Sequence, residues 1–154
     1  MVRHLVYAMR FVGRATPTGE VGGVWRTSTT APSAALHAIV GRDGLQVSRE
    51  FLPGGVASSG SEVVFTGDAT FQEIGEIHFD DAHRLRFTTM GSGYLGPCAD
   101  PALRQGAVIW RVEEGKGQFA GASGMIGATI LLSDDGQLVV HHLGLLFMPE
   151  PRTS

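Results

Sequence analysis

Three side chains of this sequence stand where their chemistry is out of place. In Phe71-Gln72-Glu73-Ile74-Gly75-Glu76-Ile77-His78-Phe79, strand alternation puts Phe71, Glu73, Gly75, Ile77 and Phe79 on one face. Glu73 is then a lone carboxylate in an apolar row. Leu45, Val47, Arg49 and Phe51 form a similar row in which Arg49 is the lone cation, and Leu5, Tyr7, Met9 and Phe11 surround one phenol. A carboxyl in a dry site has its pKa raised by desolvation or held down by a cation, and either state can move a proton or stabilise developing charge. Glu73, Arg49 and Tyr7 are therefore the candidate catalytic groups. Met9, Phe51, Phe71, Trp110 and His142 are candidate substrate-binding walls, with Tyr94 in the glycine-rich rim 91–97. The plainer reading is a buried Glu73–Arg49 ion pair with Tyr7 and Trp110 as packing. Both readings stand at this level.

Other chemistries lack support. His141 and His142 are adjacent, so on a strand they point to opposite faces, and no other His or Cys has ligand spacing; no metal and no cofactor are expected. Gly115-Lys116-Gly117 is no phosphate loop, since Lys-Ser/Thr and a helix do not follow. Gly121-Ala122-Ser123-Gly124 lacks the spacing of a nucleophile elbow. Cys98, the one cysteine, excludes an internal disulfide and fits a reducing compartment. A net charge of -3 and pI near 6.0 leave no basic stripe for nucleic acid. The first ten residues carry charge every few positions, unlike a signal peptide, and no apolar run is long enough to span a bilayer. A soluble cytoplasmic protein with no nucleic-acid and no membrane partner is expected.

The elements that must position these groups are strands. Period-two patterns predict strands near 3–13, 20–28, 34–41, 45–52, 61–80, 84–92, 106–113, 124–132 and 137–148. Arg42-Asp43-Gly44, Asp80-Asp81-Ala82-His83 and Asp134-Asp135-Gly136 read as hairpin turns, and 97–105 has room for one helical turn at most. With 154 residues and 22 glycines, a single domain over 1–154 is expected. Eight or nine short antiparallel strands predict an all-β closed barrel of about eight strands, calycin-like in form. Such a barrel has an interior just wide enough for side chains or one small ligand. Apolar residues on both faces of 137–148 predict that the outer surface packs against another subunit.

One motif carries a family resemblance. Gly115-x-Gly117-x-Phe119-x-Gly121-Ala122-x-Gly124 follows a Trp-containing strand and precedes a strand, turn and strand ending in Phe147-Met148-Pro149. The last third of the chain thereby resembles the allene oxide cyclase and dirigent β-barrel superfamily, to which bacterial small-barrel cyclases compare. The resemblance implies an antiparallel barrel, a homodimer or homotrimer, and a lumen holding a small hydrophobic ligand of polyketide-, terpenoid- or oxylipin-like kind. It further implies a cofactor-independent isomerase or cyclase; the alternative is a non-catalytic carrier. The motif glycines and Phe119 transfer as corner residues, not as catalysts.

Overall fold

The computed structural model describes residues 2–20 and 23–150. It contains nine strands: β1 Val2–Pro17, β2 Val24–Gly41, β3 Gly44–Phe65, β4 Thr70–His78, β5 Arg84–Thr89, β6 Gly93–Pro97, β7 Leu103–Lys116, β8 Ser123–Ser133 and β9 Gln137–Pro149. All pairings are antiparallel, and β3 pairs with β4 to close the ring. Both β5 and β6 lie between β4 and β7, one after the other, so nine strands make eight staves. The expected eight-stranded closed barrel is thus observed.

Several boundaries differ from the sequence reading, and the expected strand 45–52 runs on without a break to Phe65 as β3. The runs 20–28 and 34–41 are one strand, and the run 61–80 is broken at 66–69 between β3 and β4. Residues 93–97, expected in a flexible rim, are β6, held by ladders to β4 and β7. The backbone demand for paired N–H and C=O groups outweighed the glycine content there.

Alternation sorts the side chains cleanly. Phe11, Ile77, Leu85, Ile126, Leu146 and Met148 face inward and are fully buried. One end of the barrel is plugged by aromatic rings: Tyr7 meets Phe79 edge-on at 5.5 Å between centroids, and Phe79 meets Phe119 at 5.1 Å. The glycine corner seats Phe119 there. Gly117 has φ +67°, and a methyl group on Gly115 would stand 2.0 Å from the Phe119 carbonyl oxygen. A larger residue at Gly115 would displace Phe119, whereas one at Gly117 would strike the Ala82 carbonyl oxygen at 2.3 Å.

The hairpin β2–β3 is longer than the barrel it serves. Pro32 faces Val56 and Ala34 faces Phe51, so Ser33 alone opposes the four residues 52–55. Pro32 and Pro53 cannot donate to a ladder, and this wide bulge bends the ribbon away from the wall. Beyond it the ladder resumes to Gly41 and Gly44, forming a two-stranded arm in which every residue from 44 to 56 is exposed. β1 pairs with β2 only over 12–17, so residues 2–11 make a ladder on one side alone, with β9.

Candidate functional site

At the end opposite the plug, the barrel opens into an apolar cavity. Its walls include Trp25, Phe65, Phe71, Leu95, Leu132 and Leu138 near the mouth, with Glu73, Trp110 and His142 deeper in. Its volume is about 60 Å³, room for a few waters and well under the ~300 Å³ at which small-molecule sites begin. A larger ligand must therefore push the mouth side chains apart.

Glu73 is the chemical centre of this space. It sits on β4 between Phe71 and Gly75, with its side chain buried in the lumen. One carboxylate oxygen accepts the Trp110 indole N–H at 2.9 Å, and the other accepts the Ser61 hydroxyl at 2.5 Å. Ser61 in turn meets the Thr27 hydroxyl at 2.5 Å. The Glu73 backbone exchanges hydrogen bonds with the Thr89 hydroxyl, which accepts from its N–H at 2.7 Å and donates to its C=O at 3.1 Å. Burial pushes the carboxyl up to about 7, against the pull of the two side-chain donors. The group is thus divided between acid and carboxylate near neutral pH, the condition for accepting and returning a proton.

His142 is the second polar group of the interior. It stacks on Phe11 at 4.1 Å and meets the Trp110 ring edge-on at 5.0 Å. Burial holds its pKa down to about 3, with His141 adding to the effect, so the ring is neutral. The Tyr7 hydroxyl lies 3.3 Å from His142 Nδ1. Burial raises the Tyr7 pKa, which keeps the phenol protonated. If the phenol donates to Nδ1, the ring proton sits on Nε2, and the ring offers a donor to the cavity that it lines.

The structure places the sequence candidates unevenly. Glu73, Phe71, Trp110 and His142 line the cavity together. Tyr7 and Met9 face inward but pack toward the plugged end and do not line it. Arg49 and Phe51 are corrected: both lie on the exposed arm, with the Arg49 guanidinium 5.1 Å from the Phe51 ring and Phe51 63% exposed. No Glu73–Arg49 ion pair exists, because the bulge at 52–55 carries that row out of the barrel before it can face the lumen. Tyr94 is also corrected. It is 48% exposed, pointing outward from β6 while Leu95 points in. On the outer face, Arg86 lies 4.0 Å from Glu76 across the β4–β5 hairpin, and His78 lies 3.0 Å from Glu76 along β4.

Several cavity residues escaped the sequence reading. Thr27, Thr29 and Ser59 line the cavity from β2 and β3, Ser61 reaches it through Glu73, and their alternation with outward residues was the available signal. Small hydroxyls leave no hydrophobic period, so it was faint. Arg104 shares its inward parity with Val108 and Trp110 and stands at the mouth; no carboxylate pairs with it among the described residues. No helix among the described residues is long and apolar enough to cross a membrane.

Comparison with known proteins bears on the architecture. No family model and no curated protein matches the chain. Among solved structures, it is similar to a pterocarpan synthase dirigent protein, with a TM-score of 0.59 and 13% identity over 97% of this chain and 90% of that one. The likeness extends through the barrel and supports the dirigent-like side of the resemblance, with nothing specific to allene oxide cyclases. At that identity it establishes the fold alone.

Proposed function

We propose that the chain binds a small hydrophobic molecule in the barrel cavity and that Glu73 moves a proton on it, as a cofactor-independent isomerase or cyclase. The observation carrying this reading is a carboxyl brought to about 7 inside an apolar cavity. Glu73 takes a proton from a carbon beside an oxygen-bearing group and returns one to another atom of the same molecule. No oxidant or reductant is consumed. The walls contribute by holding a flexible substrate in its reactive conformation, and the His142 ring donates to the oxygen on which charge develops. The similar solved structure, a pterocarpan synthase dirigent protein, is in keeping with a barrel that directs a reaction. The substrate is of polyketide-, terpenoid- or oxylipin-like kind.

A specific observation favours the second reading, a non-catalytic carrier. Both Glu73 oxygens already have protein donors, as in a buried acid that is merely satisfied. One experiment separates the two. A panel of apolar ketones is incubated with the protein in heavy water, and deuterium incorporation is followed by mass spectrometry, while binding is read from tryptophan quenching. Exchange in the wild type that disappears in Glu73→Gln, with binding retained, supports the enzyme. Binding without exchange in either protein leaves the carrier, and no binding at all sinks both.

A further inference from the structure

The mouth of the cavity carries a charge that no described residue pairs with. Arg104 is the second residue of β7 and shares the inward parity of Val108 and Trp110. Its ladder partners, Pro97 on β6 and Leu132 on β8, offer no acceptor side chain. Two turns bearing carboxylates lie at the same end, but those groups bond within their own turns: Asp100 accepts from the Ala102 N–H, and Asp135 from the Ser133 hydroxyl. Among the described residues no ion pair or side-chain hydrogen bond reaches the Arg104 guanidinium.

The wall beneath it is apolar. Leu95, Leu132 and Leu138 surround the entrance, and formal charge occurs on the lining at two places, Arg104 at the mouth and Glu73 in the depth. Trp110, which donates to Glu73, stands ~20 Å further along β7 at the usual strand rise. A guanidinium offers its N–H donors in a fixed fork that matches a carboxylate bidentately, and hydrocarbon makes no use of it. The two charges also sort the ends of a ligand. A carboxylate led into the depth would lose its hydration and meet Glu73, an acid that repels it whenever ionised. Left at the mouth, it keeps part of its water and gains Arg104.

We infer that this cavity takes an amphiphilic monocarboxylate, with its hydrocarbon body in the barrel and its carboxylate on Arg104 at the mouth. The inference rests on the reading that the cavity binds a small hydrophobic molecule, and it narrows that class to acids, for an enzyme and a carrier alike. Arg104 is then a specificity-determining residue. It touches no reacting atom; it fixes the end of the ligand that stays outside, and with it the end that reaches Glu73. Its exposure keeps the effect moderate, since a pair open to water is screened.

The test compares decanoate with decanol, two probes of one chain length that differ in charge. Each is titrated at neutral pH, below its micelle concentration, and followed by calorimetry and by the emission of Trp25 and Trp110, the chain's two tryptophans, both on the cavity wall. Decanoate should bind roughly five- to tenfold more tightly than decanol, and added salt should narrow the margin. Arg104→Gln should remove the margin and leave decanol binding and thermal unfolding as they were, while Arg104→Lys should keep part of it. Equal affinity of the wild type for the two probes overturns the inference and leaves the cavity a small-molecule site. So does a preference for decanoate that survives in Arg104→Gln, since the anion would then sit elsewhere. Failure of both probes to bind removes the small-molecule reading, and this inference with it.

Discussion

Glu73→Gln is the substitution from which most can be learned, because the pH dependence of its effect follows from the geometry. The folded state raises the carboxyl from 4.5 to about 7. A raised acid contributes stability that is fully present below the unfolded pKa and is lost as pH rises through the folded one. At ~1.36 kcal/mol per unit, the loss between pH 4 and pH 8 is about 3 kcal/mol. Gln has the shape of the neutral acid: its carbonyl can accept from Trp110 while its amide donates to Ser61, whose own proton turns to Thr27. The variant should therefore match the wild type at pH 4 and gain on it steadily between 4.5 and 7. Above that it should lead by about 3 kcal/mol, or roughly 6–12 °C in Tm for a chain of this length. Urea titrations followed by tryptophan emission at half-unit pH steps would measure this. The difference between the two proteins is the informative curve, because His142 pulls the wild type the other way over part of the window. A difference that stays flat from pH 4 to 8 would refute the placement of a charged-or-neutral acid in a dry cavity.

Three further outcomes are expected. His142 has a depressed folded pKa, so its contribution is present above about 6.5 and is lost as pH falls toward 3. His142→Phe should abolish this acid loss of about 5 kcal/mol while costing ~1–3 kcal/mol at neutral pH for the orphaned Tyr7 hydroxyl, both read from acid and urea denaturation. Trp110→Phe removes one donor to the Glu73 carboxylate and should move the Glu73 titration, followed by carboxyl infrared absorption, above its wild-type value; an unchanged midpoint would deny the hydrogen bond its part. Gly117→Ala meets both a positive φ and the Ala82 carbonyl oxygen at 2.3 Å, and should cost ~1–3 kcal/mol in thermal unfolding without altering ligand binding at the far end.

Alternation was enough to find the half of the site that lies on regular strands. Phe71 and Glu73 on β4, Trp110 on β7 and His142 on β9 lie in stretches that keep period two, so their sidedness could be read without coordinates. The same rule failed for Arg49 and Phe51 because it reports which residues share a face and not whether that face reaches the core. Only the three-dimensional effect of Pro32, Pro53 and the four-against-one bulge takes the row outside. Tyr94 failed for another reason. A run of glycines suppresses the strand signal, and β6 exists because β4 and β7 would otherwise leave a stave half empty. The glycine corner was legible as scaffold. Its residues pack against the carbonyls and rings of the plugged end and take no part in the cavity.

The aromatic plug at that end has a kinetic meaning. With Tyr7, Phe79 and Phe119 filling the far opening, the barrel is a blind sleeve, and a molecule that enters must back out the way it came. The end that goes in first meets Glu73 and His142; the trailing end stays beside Arg104. If the proposed proton transfer operates, orientation on entry selects which end of an unsymmetrical molecule reaches Glu73. Product and incoming substrate would then share one doorway, and turnover would slow at high substrate concentration.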